Sequence, residues 1–222
     1  MKNIAIIPAR GGSKRLPEKN ILDLGGLPLL VHSINYAKAN EGIVDAIYVS
    51  TDCPKIKSVA LEHGALVIDR PEAISGDLEP TISTLQHVLE HVNETFENVV
   101  LLQPTNPLRP QNLLEKAFVH FLDKDCDSLM TISRNYQKFG KLINEKFVPF
   151  NYKIGQRSQD LEPLYFENGL LYITKASVVK KGEIVGGHNY PLEVNHPYSK
   201  VDIDDIEDLK FAAFILNQYP NE

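Results

Sequence analysis

Short apolar runs alternate with helical repeats through roughly the first half of the chain, and this alternation limits the fold more than any other feature. Asn3-Ile4-Ala5-Ile6-Ile7 is apolar at consecutive positions, as in a strand buried on both faces. Pro28 to Ala39 opens on proline and sets Leu29, Leu30, Ile34 and Ala37 along one stripe, which predicts a helix. Val44 to Ser50 predicts a strand, Pro54 to His63 a helix closed by Gly64, and Ala65 to Asp69 another strand. Thr81 to Asn93 predicts a helix, Asn98 to Leu102 a strand, Pro110 to Leu122 a helix and Ser128 to Ser133 a strand. Asp204 to Tyr219 closes the chain as a helix. Such a succession specifies an α/β fold of three layers, a mainly parallel sheet with helices on both faces. Ligands in such folds sit at the carboxyl ends of the strands.

The alternation fails between Gln137 and about Thr174, where short β-like pieces (Phe147 to Tyr152, Gly169 to Ile173) mix with Gly, Pro and Asn. This stretch reads as a small β-rich insertion at about 137–174 within a single domain spanning 1–222, one that covers a site or pairs with a second subunit. No apolar run approaches a membrane span, and MKNIAIIPAR lacks the apolar stretch and cleavage site of a signal peptide. Cys53 and Cys126 are isolated, which suits neutral thiols in a reducing cytoplasm. A net charge of -6 and a pI near 5.7 disfavour nucleic acid as a partner.

Against that acidic background, Arg10, Lys14, Arg15 and Lys19 crowd into the turn that follows the first strand. Neither G-x-G-x-x-G nor a Walker A pattern is present in Gly11-Gly12-Ser13-Lys14-Arg15-Leu16. What remains is a glycine-flexible backbone whose N–H groups can turn toward an anion, flanked by cations suited to phosphate. The competing reading is a solvated loop. Asp202 and Asp204 are one residue apart, so on a strand both carboxylates face one side, as two hard ligands for Mg²⁺ require. Alternatively, Asp204 caps the final helix beside Asp205. Gln103 directly follows a buried strand, where its amide can donate to and accept from a substrate, or else bond the loop around Pro104 and Pro107. His87 and His91 match H-x-x-E-H, but both fall opposite the helix's apolar stripe and read as a surface pair rather than a metal site.

The run Ile7-Pro8-Ala9-Arg10-Gly11-Gly12-Ser13-Lys14-Arg15-Leu16-Pro17, with Lys19-Asn20 after it, resembles the nucleotide-binding signature of the acylneuraminate cytidylyltransferases, or CMP-sialic acid synthetases. Gly25-Gly26, Val49-Ser50-Thr51-Asp52, Arg70-Pro71, Leu101 to Arg109, Glu167-Asn168-Gly169 with Tyr172-Ile173, and Val201-Asp202-Ile203-Asp204 continue the likeness in order. The resemblance implies a Rossmann-like nucleotidyltransferase fold, a homodimer, and transfer of CMP from CTP to a nonulosonic acid with Mg²⁺ present; the alternatives are a shorter ulosonic acid such as 3-deoxy-manno-octulosonate as acceptor, or a nucleotide-sugar-binding module without catalysis. It also favours substrate contact for Gln103 and a metal or nucleophile-activating role for Asp202 and Asp204. Ala9, Arg10, Gly11, Gly12, Ser13, Lys14 and Lys19 would then cradle the triphosphate, with Asn20 and Thr81 at ribose or base. Lys141 and Arg157 are the candidate cations for the sugar carboxylate. Here the chain departs from its relatives, which commonly carry arginine directly before Gln-Asp where this sequence reads Arg157-Ser158-Gln159-Asp160.

Overall fold

The computed structural model describes residues 1–220, so the last two positions of the 1–222 domain lie outside the described residues. Strand β1 (Asn3–Pro8) is central to a seven-stranded sheet, with β4 (Ala46–Thr51) and then β5 (Leu66–Asp69) on one side. On the other side lie β6 (Asn98–Leu101), β10 (Leu164–Lys175), β7 (Ser128–Asn135) and β11 (Asn189–Glu193). All neighbouring pairs are parallel except those made by β10, which runs antiparallel to both β6 and β7.

The consecutive apolar residues of β1 divide between two cores. Ala5 and Ile7 pack with Leu30, Val31 and Ile34 of α1 (Leu29–Ala39), with α2 (Pro54–Glu62) and with α4 (Leu113–Asp123). Ile4 and Ile6 pack with Leu85 and Val88 of α3 (Thr81–His91) and Val179 of α5 (Ala176–Lys180). The three-layer expectation holds. A third cluster joins Leu16 of the opening loop and Leu24 to Ala212 and Ile215 of α6 (Ile206–Gln218). It also contains Val201 and Ile203. The apolar residues on either side of Asp202 are therefore buried beside the basic loop, nearly the whole chain length away in sequence.

Three expectations change. The stretch from 137 to 174 forms an isolated hairpin, β8 (Gly140–Ile143) with β9 (Lys146–Pro149), but from Leu164 onward the chain is back in the main sheet as β10. A bulge between Glu167 and Tyr172, with Gly169 at φ +72°, interrupts the alternation that would have revealed this strand. The fourth helix begins at Leu113 rather than Pro110, and the Tyr36 hydroxyl accepts its Leu114 N–H at 2.8 Å. Residues 201–203 are irregular, not a strand. A two-stranded ribbon, β2 (Asp23–Leu24) with β3 (Leu27–Pro28), links the opening loop to α1.

Candidate active site

The chain leaves β1 along one side of the sheet and returns through β6 on the other, so the loops after these two strands part and open a crevice. A cleft of about 220 Å³ sits there, lined by Arg10, Ser13, Lys19, Asn20, Arg70, Thr81 and Gln103 among others. Gly11 is required by close approach, since a Cβ there would lie 2.7 Å from the Cβ of Cys53, and its N–H donates to Asp52 at 2.8 Å. Ala9 is buried and donates its N–H to the Ser50 carbonyl at 2.9 Å, so its side chain packs rather than facing a ligand. Asn20 is also buried, with its amide spent on the Arg10 carbonyl at 2.8 Å. It holds the loop from its place in the cleft wall. Thr81 opens α3, whose N-terminal partial positive charge faces the cleft.

The cations already have an anionic partner. Asp77 pairs with Arg10 at 2.8 Å and with Lys14, and these contacts, that of Lys14 first, hold its carboxyl below the usual range. Asp77 lines the same cleft.

Lys19 joins the basic loop to the acidic pair. Its largely buried ammonium donates to the Ile203 carbonyl at 2.9 Å and to Asp204 at 3.0 Å, and Arg15 takes the other Asp204 oxygen at 2.9 Å. Asp204 is therefore not the cap of α6. That role belongs to Asp205, which accepts from Glu207 and Asp208 N–H groups while Asp208 accepts in return. Burial, and then the neighbouring Asp204 carboxylate, push the Asp202 carboxyl above its ordinary value. The same mutual repulsion makes the pair a fitting host for a divalent cation. Among the described residues no group of three or more His, Cys, Asp or Glu side chains could hold a metal, so an ion held by this pair would need its other ligands from substrate and water.

Gln103 lines the cleft, and it is its backbone carbonyl, not its amide, that the loop uses, accepting from Arg109 at 2.9 Å. Beyond Asp202 a second cleft, about 860 Å³, runs between β7, β10 and α6. Lys141 and Arg157 line neither cleft. The first lies over the Phe150 ring at 5.4 Å, and the second is exposed and paired with Asp160 at 2.7 Å.

The family model described as cytidylyltransferase matches residues 4–213. The chain belongs to the cytidylyltransferase family. It is 33% identical to the pseudaminic acid cytidylyltransferase of Campylobacter jejuni, over 97% of this chain and 96% of that protein. It is equally identical to the CMP-N,N'-diacetyllegionaminic acid synthase of Legionella pneumophila, over 92% and 91% of the two. The N-acylneuraminate cytidylyltransferase of Streptococcus agalactiae is 33% identical over 94% of this chain, which spans 52% of that longer protein. In fold, a CMP:2-keto-3-deoxy-manno-octonic acid synthetase solved with CTP superposes with a TM-score of 0.72 at 17% identity, over 98% of this chain and 99% of that one.

Within this cytidylyltransferase fold, two residues at the site were absent from the sequence-derived set. Arg70 is buried against Ser50, donating to its hydroxyl at 3.1 Å and its carbonyl at 2.7 Å, and burial lowers its pKa to about 10. Asp77 is the other. Both follow β5; Arg70 belongs to the Arg70-Pro71 block of the family likeness, whereas nothing local in the sequence marked Asp77. His87 is half-buried rather than on the surface, with its ring 4.1 Å from that of exposed His91 and tilted 33° to it.

Proposed function

We propose that this chain transfers the CMP group of CTP to the anomeric hydroxyl of a nonulosonic acid. The carrying observation is that the phosphate-type cradle of Arg10, Lys19 and Arg70 meets Asp202 and Asp204 at the mouth of β1 and β6. In the reaction the anomeric oxygen bonds to the α-phosphorus of CTP, the bond from that phosphorus to the bridging oxygen breaks, and pyrophosphate departs. Arg10, Lys14, Lys19 and Arg70 bind the triphosphate and offset its charge. The hydroxyl proton passes to an aspartate of the pair. Asp202 and Asp204 are the residues that would hold Mg²⁺. When bound, the ion supplies Lewis-acid stabilisation of phosphate charge. Gln103, with its amide free of the loop's own bonding, faces the acceptor sugar.

Pyrophosphate release with CTP and a panel of pseudaminic, legionaminic and neuraminic acids, beside 3-deoxy-manno-octulosonate, tests the reading. Release with at least one nine-carbon acid is expected. Release with the octulosonate alone would move the activity to the shorter acid, and release with none would end the proposal. A cytoplasmic location goes with it, since two free cysteines suit a reducing compartment. No helix among the described residues is long and apolar enough to cross a membrane.

Asp77 and CTP compete for Arg10 and Lys14. Asp77→Asn is therefore expected to lower the KM for CTP by about two- to fivefold, with the larger effect at low salt. A raised KM would show that Asp77 helps binding instead.

The hairpin presents Leu142, Ile143, Phe147 and Val148 to solvent, and Phe150 and Ile154 beside it are exposed as well. An apolar patch of this kind supports a homodimer formed through the hairpin. A contribution of Lys141 or Arg157 to sugar binding then requires the second copy. Deleting Phe147 to Tyr152 is expected to give monomers by light scattering that still bind CTP but turn over the sugar acid poorly. A full-length protein already monomeric at micromolar concentration would remove this reading.

A further inference from the structure

The chain has six arginines, and five have well-formed partners. Arg10, Arg15 and Arg157 are in ion pairs. Arg70 and Arg109 donate to buried oxygens over 2.6 to 3.1 Å. Arg134 is the exception. Its Nε is buried with no hydrogen-bond partner, one of two such side-chain atoms among the described residues. Its Nη2 reaches only the Leu161 carbonyl, at 3.5 Å, the outer limit of a hydrogen bond. The Tyr136 ring supports the guanidinium at 5.0 Å. A half-buried cation left short of acceptors costs the free protein stability, and an incoming anion would relieve that cost.

Its position says which anion. Arg134 stands directly across from Tyr165 of β10, while Glu167 stands across from Ile132, so Arg134 and Glu167 share one face of the strand pair. Both line the larger cleft, as does Asp202. Glu167 makes no ion pair with Arg134 among the described residues, and its carboxylate instead accepts from the Tyr172 hydroxyl at 3.0 Å. We propose that Arg134 anchors the carboxylate of the acceptor sugar acid. The inference rests on the cytidylyltransferase reading above. In a ulosonic acid the carboxylate is bonded to the same carbon that carries the attacking hydroxyl. A carboxylate held on Arg134 therefore orients that hydroxyl toward Asp202 and the nucleotide. The planar guanidinium fork matches a carboxylate with two parallel hydrogen bonds. Lys200, the other cation lining this cleft, is exposed and offers only a mobile point charge.

The test compares the free sugar acid with its methyl ester in the wild type, Arg134→Ala, Arg134→Lys and Lys200→Ala, by pyrophosphate release and by calorimetric binding with CDP present. Arg134→Ala is expected to raise the KM for the acid about 10- to 100-fold and leave the KM for CTP unchanged. It is also expected to abolish the preference for acid over ester, which Arg134→Lys restores in part. Taking the ratio between variants removes any intrinsic difference in reactivity between acid and ester. An acid preference that persists in Arg134→Ala, or that collapses only in Lys200→Ala, would overturn the assignment while leaving the enzyme's function intact. A wild type that neither binds nor turns over any of the acids would overturn the functional reading and this one with it. Thermal melting of each variant confirms that the folded protein is being compared.

Discussion

Asp202→Asn and Asp204→Asn should each melt close to the wild type and lose activity by a factor on the order of a hundred or more. The separation of stability from activity follows from what the two carboxylates touch. Asp204 is partly exposed; its pair with exposed Arg15 contributes little to folding, and the more buried Lys19 ammonium keeps the Ile203 carbonyl as an acceptor and can still donate to an asparagine amide oxygen. Burial and the Asp204 carboxylate disfavour the ionised form of Asp202, so a neutral amide there removes a repulsion. The cap of α6 survives in both variants because Asp205 and Asp208 supply it. What asparagine cannot supply is the charge that a magnesium ligand or proton acceptor needs. Raising Mg²⁺ should partly restore the variant whose metal binding is weakened and do nothing for one that has lost proton transfer. Full activity of both variants at limiting Mg²⁺ would make the carboxylates structural.

Arg109→Ala has the largest expected effect on stability, a loss of about 3 to 5 kcal/mol. The Arg109 guanidinium is buried and donates to Leu170 O at 2.6 Å, Ser33 Oγ at 3.0 Å and Gln103 O at 2.9 Å. It thereby ties the loop after β6 to β10 and to α1. Burial lowers its pKa to about 10, yet at neutral pH it remains charged, with its hydrogen-bonded oxygens compensating. Truncation leaves those oxygens without donors and opens a cavity. For a chain of this size the melting temperature should fall by roughly 10 °C or more. Lysine should not rescue it, because one ammonium on a flexible stem cannot reach acceptors on three separate elements. A melting point within two degrees of the wild type in Arg109→Ala would show that this staple is dispensable. Because Gln103 hangs from the same residue, the surviving folded fraction should also bind the sugar acid less well.

Much of the framework was legible in the chain. Consecutive apolar residues in β1 announced a strand buried on both faces, and helix stripes placed α1, α2 and α3 to within a few residues. The basic turn after β1 lay where a parallel sheet presents ligands. β10 was legible only as a short β-like piece from Gly169 to Ile173, because Gly169, whose positive φ lets the strand bulge, breaks the period by which the full strand would be recognised. Were a Cβ present at Gly169 it would come within 2.5 Å of Asn106. Asn106 in turn donates to Asn168 O at 3.1 Å and to Val201 O at 2.9 Å, joining three segments distant in sequence.

The sequence by itself determined the kind of the main elements up to β7 and of the closing helix, because 2- and 3.6-residue periodicities and turn residues are local properties. It also marked the two charged motifs as unusual. Only the tertiary structure decided which charges meet. Lys19 and Asp204 are 185 residues apart in sequence yet in contact at 3.0 Å, a pairing set by the sheet order and by the third apolar cluster beneath them. The same packing left Lys141 and Arg157 outside both clefts and brought Arg134, on an inner strand, to the floor of the larger one. Charge complementarity acts only at short range in a screened medium, so a side chain's partner is fixed by where the apolar core carries it.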